Sequence, residues 1–572
     1  MSIKDPERQR TASPAGRFAH NAFWLIAVNL FMRTVGVSFN IYLAGRAGNE
    51  VMGLHSLLTG VYGLAMTVGC GGIHLGTTRL IAEALGKYAA DTPEGAARQE
   101  AAIRSCLKKC LLYATLCGTG AGILLLLGAP WVGRVWLGDP RTVISLRILA
   151  ITLLPLALSN CLSGYFTGMR RVGMSSTAGV LSQFVRLLFC VVLIEQALPD
   201  GIQSTCQALV LGGALSEGVG LALSFGAFCL DRHLHRNRDR QSPAKGGSVS
   251  GTDGTSGLPS SRSLTGHLLH ITVPVTLAAC LRSGLVTLEH ALIPRGLASS
   301  GASWASALSS YGVLHGVVLP VVLFPSAFIS SFSGLLVPEV AECRAAGNRI
   351  RIARIARRVV SPALVFSFGV AGMMACFAGE LGELVCGSQE AGEYIRALAP
   401  LIPIMYVDSS VDGILKGMGE QVYSMTVNII DALVSVILVW LLLPRMGLDG
   451  FILTIYVTET LNTTLSLCRM LRISKMPVSL WRMVFGPLLC VVLATWAIKG
   501  LFTLIPGPDG LPGLILHLSA GAFLYLILLI PTRVLGKQEA DDLRRLLLPR
   551  HDSAPAPAGC VASLNQKERE DP

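Results

Sequence analysis

The sequence predicts an all-α, polytopic membrane protein with about fourteen transmembrane helices. Composition is the first reason: 52% of the 572 residues are hydrophobic and only 14% are charged, where a soluble domain carries about a quarter charged residues. The mean hydropathy is +0.57. Apolar runs of about twenty residues recur along the chain, the length that crosses ~30 Å of hydrocarbon. Lys and Arg also cluster in alternate loops, as they do on the two sides of a membrane.

Spans are expected near 19–44, 51–80, 110–130, 145–167, 175–197, 206–230, 268–293, 308–338, 359–385, 397–417, 422–443, 448–468, 483–505 and 512–532. The first is too long for a signal-peptide core and lacks an A-x-A cleavage site, so it reads as a retained span. Lys4, Arg8, Arg10 and Arg17 precede it, Lys87, Arg98, Arg104, Lys108 and Lys109 follow the second span, and Arg170 and Arg171 sit in the 4–5 turn. The opposite loops hold few basic residues, among them Arg46, Arg134, Arg295 and Arg396. The positive-inside rule therefore puts both termini in the cytoplasm, in agreement with an even number of spans. The net charge of +12 is then a topology signal, and nucleic acid is not an expected partner. The fifteen Cys lie mostly in apolar runs, without C-x-x-C spacing, and read as small apolar residues rather than disulfides or metal ligands.

Domain organisation follows from one break. Residues 237–266 are rich in Ser and Gly and have little to bury, which predicts a disordered linker. The expected order is a cytoplasmic tail (1–18), six spans (19–230), a cytoplasmic linker (231–267), six further spans (268–468), two extra spans (483–532) and a cytoplasmic tail (533–572). The two sets of six resemble each other. Arg33 and Arg46 of IYLAGR have the spacing of Arg282 and Arg295 of ALIPR, and the next spans carry VYGLAMTVG and YGVLHGVVLP, then RLIAEA and LVPEVAE. Such a parallel repeat is common in transporters, whose sites lie at the repeat interface. GCGG at 69–72 and Pro320, Pro325 and Pro338 should interrupt helices, and GYFTG at 164–168 suits close helix contact. RIRIARIARR at 349–358 and DDLRRLLLPR at 541–550 read as basic amphipathic helices lying on anionic lipid.

An ionisable residue at bilayer depth costs about 2.5–3.5 kcal/mol on insertion scales and therefore faces a cavity or a partner. Four Arg fall inside spans: Arg33, Arg79, Arg186 and Arg282. Asn29, Arg33, Gly36 and Asn40 share one helical face, the pattern of a wet cavity wall. Arg282 occupies the repeat-related position, with Glu289 on its own face; a structural ion pair between spans is the competing reading. Arg79 lies close enough to the cytoplasm to snorkel. Arg186 could pair with Glu195 or Glu217. Among the acidic residues Glu217, Asp408, Asp412, Asp431 and Glu459, Asp408 and Asp412 share a face of span 10. They could bind Na⁺, carry H⁺, or neutralise Arg. There is no G-x-x-x-x-G-K-[ST] phosphate loop and no H-E-x-x-H, so ATP hydrolysis, metalloprotease chemistry and a bound cofactor are not expected.

The stretch RTVGVSFNIYLAGRAGNEVMGLHSLLTGVYGLAMTV with RLIAEA resembles the polysaccharide-transport branch of the multidrug/oligosaccharidyl-lipid/polysaccharide (MOP) exporter superfamily. In particular it resembles the stage V sporulation protein B family, related to the lipid II flippase MurJ. GYFTGMRRVGMSSTAGVLSQFVR, ITVPVTLAACLRSGLVTLEHALIPRGL and YGVLHGVVLPVVLFPSAFISSFSGLLVPEVAE extend the likeness over about residues 20–530. The resemblance implies two six-helix bundles around a central cavity, plus two C-terminal helices, in a bacterial cytoplasmic membrane. It implies cavity arginines, to which Arg33 and Arg282 correspond and Arg79 less closely. It also implies an undecaprenyl-pyrophosphate-linked sugar as cargo, a peptidoglycan precursor or an oligosaccharide. Arginine recognises such a headgroup through bidentate charge-assisted bonds. The alternative is a cation-coupled multidrug exporter of the same fold, using Asp408, Asp412 or Glu459 with Na⁺ or H⁺; two mid-bilayer Arg argue against a cationic cargo. A membrane enzyme is disfavoured by the short outer loops.

Overall fold

The computed structural model describes residues 14–87, 93–169, 171–241, 261–504, 508, 510–532 and 534. Helices α1 (Pro14–Ala47), α2 (Asn49–Cys70), α3 (Ile73–Lys87), α4 (Pro93–Trp131), α5 (Thr142–Gly168), α6 (Val172–Ala197) and α7 (Ile202–Gln241) form the first part. The second contains α8 (Ser261–Ser299), α9 (Trp304–Tyr311), α10 (Leu319–Leu323), α11 (Ser326–Ala345), α12 (Arg349–Cys376), α13 (Ala378–Glu380), α14 (Gln389–Leu398), α15 (Ile402–Gly417) and α16 (Gln421–Ser474). Helices α17 (Gly486–Leu504) and α18 (Leu511–Leu528) follow. There is no strand among the described residues, as lipid requires, because a helix satisfies its backbone within itself.

Helix starts follow local chemistry. Asn348 accepts the Arg351 amide at 3.0 Å and Ser303 accepts that of Ser306 at 3.2 Å, each satisfying a donor that the first turn leaves open. Breaks follow glycine and proline. The predicted second span divides into α2 and α3 at Gly71–Gly72, where Gly72 takes φ 69°, a left-handed value that costs a glycine little. Predicted spans 11 and 12 are halves of the single element α16, bent at Gly447 with φ 59° and ψ −136°. The predicted eighth span is divided into α9, a π-helical segment Gly312–Val318, α10 and α11, with a turn at Phe324–Pro325.

Twelve helices among the described residues are long and apolar enough to cross a membrane, with α16 counted once. Helix continues to Gln241 and resumes at Ser261, so α7 and α8 enter both ends of the segment expected to be linker; residues 242–260 lie outside the described set. The basic segment 349–358 is the first part of α12, continuous with its apolar remainder. Ile352, Ile355 and Ala356 are buried while Arg351, Arg354 and Arg358 are exposed. The segment 541–550 lies outside the described residues, as do both predicted tails for the most part.

The two parts meet along α2 and α8. At mid-height the Thr287 hydroxyl donates to the Gly60 carbonyl at 3.0 Å. Toward the face opposite the linker, α2 lies directly on α9 and the π-helical segment. A Cβ on Gly53 would stand 2.0 Å from the Leu308 carbonyl oxygen, and one on Gly312 would stand 2.2 Å from that of Asn49. Backbones approach this closely only where side chains are absent, and without a hydrophobic driving force in lipid such contact supplies the attraction. Gly53→Ala is expected to lower the thermal midpoint of the detergent-solubilised protein, by the ~1–3 kcal/mol typical of overpacking. Gly63→Ala, on the same helix where a Cβ meets nothing within 4 Å, should leave the midpoint unchanged or raise it. A scan showing the reverse order would count against the tight seam.

Candidate functional site

A cavity of about 230 Å³ opens between α1 and α6, lined by Arg33, Gly36, Val37, Phe39, Asn40, Gln183 and Arg186. The polar stripe expected on α1 thus supplies Arg33, Gly36 and Asn40; the side chain of Asn29 lies outside the described residues. Arg33 is half-buried, and its Nη2 donates to the Leu323 carbonyl at 3.1 Å. That carbonyl is available because α10 ends there: the Ala327 N–H, which would reach it in a continuous helix, donates to the Phe324 carbonyl at 3.1 Å instead, and Ser326 Oγ also donates to it at 2.6 Å. A guanidinium of the first half is thereby tied to a helix end of the second.

Arg282 does not line this cavity. It acts electrostatically on Asp408 of α15 and Asp431 of α16. Glu459, on the other half of α16, interacts with Asp408, Asp431 and Glu289, and Glu289 is hydrogen-bonded to Ser435. Four helical segments therefore bring four carboxylates and one Arg into one neighbourhood. Oδ1 of Asp408 and Oδ1 of Asp431 are buried with no hydrogen-bond partner among the described residues. Asp408 and Asp412, predicted to act together, have different surroundings. Asp412 is ion-paired to Lys416 and accepts from Ser424; Asp408 interacts electrostatically with Asp412 and also with Asp431 and Glu459.

The remaining intramembrane Arg are placed as follows. Arg79 is exposed and ion-paired to Glu83 at 3.0 Å on its own helix, away from the α1–α6 cavity. Glu195, offered above as a partner for Arg186, instead takes Arg46 at 2.8 Å and Tyr42 at 3.1 Å. Arg186 interacts electrostatically with Glu217, His55 and Tyr62. Gln183 was not singled out from sequence, although it lies one turn before Arg186 and shares its face. No group of His, Cys, Asp and Glu able to hold a metal occurs among the described residues, and the described cysteines are free thiols.

A clasp on the face opposite the linker was not legible from sequence. Arg141 holds Asp139 at 2.6 Å and Glu50 at 3.1 Å. From the second half, Trp304 Nε1 donates to Asp139 at 3.4 Å, and Arg295 donates to the Val135 carbonyl. Burial alone would raise the Asp139 carboxyl, but the bonds and charge of Arg141, with Trp304, outweigh it and hold that group below its ordinary value. The clasp therefore keeps its charge across neutral pH.

Similarity to known proteins covers both halves. A family model described as polysaccharide biosynthesis protein matches residues 18–245, and the MatE model matches residues 304–441. Stage V sporulation protein B of Bacillus subtilis (strain 168) is 23% identical over 536 residues, spanning 92% of this chain and 97% of that protein. Sporulation protein YkvU of the same organism is 21% identical over 472 residues, spanning 80% and 96%. In fold, the lipid II flippase MurJ in an inward closed conformation aligns with a TM-score of 0.61 at 12% identity, covering 91% of this chain and 99% of that one. An inward-facing MATE family multidrug resistance transporter of the MOP superfamily aligns at 0.59 with 14% identity, covering 79% and 100%. These two solved neighbours are a flippase and a transporter. With twelve helices among its described residues long and apolar enough to cross a membrane, the chain is a multi-pass membrane protein, and it shares the fold of the MurJ flippase and of the MATE transporter.

Proposed function

We propose that the protein flips an undecaprenyl-pyrophosphate-linked sugar, a peptidoglycan precursor or oligosaccharide, across the bacterial cytoplasmic membrane by alternating access. The observation that carries this reading is the Arg-lined cavity at Arg33. A guanidinium beside Asn40 offers a multiply anionic headgroup a fork of donors. Screening by bulk water is weaker in such a recess, so these contacts are stronger than at a surface. Taking α1 as a span and α16 as two gives fourteen spans, with both termini and the linker on the cytoplasmic side. The relatives named for sporulation suggest a role in building a spore wall.

The carboxylates around Arg282 favour a cation as the coupling partner. Asp408 and Glu459 would exchange Na⁺ or H⁺, and Arg282 would moderate their repulsion. Asp412, already neutralised by Lys416, contributes less. The same group supports the alternative, a cation-coupled multidrug exporter, which the MatE match and MATE-like fold also suit. The guanidinium at the cavity weighs against a cationic cargo.

Arg33→Ala should abolish transport of a fluorescent lipid-pyrophosphate sugar in proteoliposomes while membrane levels stay normal; wild-type flux in that variant would sink the headgroup site. Asp408→Asn combined with Glu459→Gln should remove the dependence of flux on an imposed Na⁺ or proton gradient, a loss of tenfold or more on the order of 1.4 kcal/mol. Efflux of a cationic dye that depends on those two residues would instead favour the multidrug reading.

A further inference from the structure

We propose that Arg186 of α6 is the second guanidinium of the headgroup site, and that Arg33 and Arg186 together form a clamp selective for a diphosphate over a monophosphate. This rests on the lipid-pyrophosphate reading above and adds a residue and a selectivity to it.

Two arginines on different helices face one cavity of about 230 Å³. Among the described residues, neither forms an ion pair with a carboxylate within 4.0 Å. Glu217 acts on Arg186 electrostatically, yet does not close on it as Glu195 closes on Arg46 at 2.8 Å. Two like charges held at bilayer depth without a close counterion are unfavourable unless an anion completes the site. The rest of the lining suits an anion. Asn40 and Gln183 add amide donors from the same two helices, and no Asp or Glu is present.

The stoichiometry of donors points to two phosphates. One guanidinium fork meets two oxygens of one phosphate; two forks on opposing helices match two linked phosphates. The cavity is smaller than the about 300–1,000 Å³ that encloses a drug-sized ligand. It therefore takes the charged head and leaves the sugar and the lipid chain outside. An apolar path for that chain adjoins it. Phe31 of α1 and Phe184 of α6 are 50% and 45% exposed, and their rings meet at 6.0 Å across the same helix pair. The combination of two cationic forks, two amides and an exposed aromatic pair fits a polyprenyl diphosphate better than a soluble anion.

The test measures binding of undecaprenyl diphosphate and undecaprenyl monophosphate to the full-length protein in nanodiscs, for wild type, Arg33→Ala, Arg186→Gln and Arg186→Lys. Wild type should prefer the diphosphate. Arg186→Gln should lose about tenfold or more in diphosphate affinity and less than about threefold for the monophosphate, so that the preference disappears. Arg186→Lys, which keeps the charge without the planar fork, should fall between. Wild-type preference in Arg186→Gln, with binding lost in Arg33→Ala, overturns the clamp and leaves the headgroup reading standing. An equal loss of both lipids in Arg186→Gln assigns Arg186 a structural role and also overturns it. Failure of wild type to bind either lipid removes the clamp together with the reading on which it rests.

Discussion

The energetic penalty on charge at bilayer depth organises this molecule. Every intramembrane ionisable group must face water, a partner or a ligand, and the chain meets that demand in two separate places. Cationic groups Arg33 and Arg186 face a recess without carboxylates. Anionic groups Glu289, Asp408, Asp431 and Glu459 gather around Arg282. Groups near the two faces take the simpler solution: Arg79 with Glu83, Arg46 with Glu195, and Arg141 with Asp139 and Glu50 are closed pairs. The distribution separates structural charge from charge left available for a transported ion or headgroup.

Motion between bundles requires an interface that can be tight and still part. The α2–α8 seam has that character. There Gly60 accepts from Thr287, and beyond it, where α2 meets the π-helical segment, Gly53 and Gly312 are in backbone contact. The Asp139–Arg141–Trp304 clasp adds polar contacts on one face of the seam. Because Asp139 remains ionised at neutral pH, that face is held by charge as well as by packing.

Much of this was legible in the sequence, for reasons tied to period and composition. Apolar run length identified the all-helical, membrane-spanning character of the chain, and GCGG and Pro325 marked two real breaks. The helical face shared by Arg33, Gly36 and Asn40 anticipated one cavity wall. What sequence could not supply was the relation between helices. It paired Arg33 with Arg282 because the repeat equates their positions, but repeat equivalence fixes a place within each bundle, not what lies opposite. Arg33 bonds to the end of α10 and lines a recess with Arg186 of α6, whereas Arg282 acts on carboxylates of α15 and α16. Asp408 and Asp412, four apart, share a face and act on each other as expected from that spacing, but the contacts of Asp412 with Lys416 and Ser424 were not visible in sequence. Gln183 and Trp304 carried no intramembrane charge and so gave no signal.

The cationic recess and the carboxylate group are not isolated from each other. Arg33 bonds to the carbonyl of Leu323, the last residue of α10. The preceding carbonyl, that of Val322, accepts the Tyr406 hydroxyl at 2.6 Å, and Tyr406 lies two residues before Asp408 on α15. Arg33 also acts electrostatically on Tyr406. One helix end thus receives a contact from the cavity-lining Arg33 and a contact from Tyr406 of the helix that carries Asp408, and the turn at Phe324–Pro325 makes it a break in the chain rather than the middle of a rigid rod. Coupled transport needs an element whose position both sites bias. In the proposed transport cycle, an anion that draws Arg33 from Leu323 and a cation that draws Asp408 act on opposite sides of this turn. The separation of charge by sign therefore does not separate the two binding events.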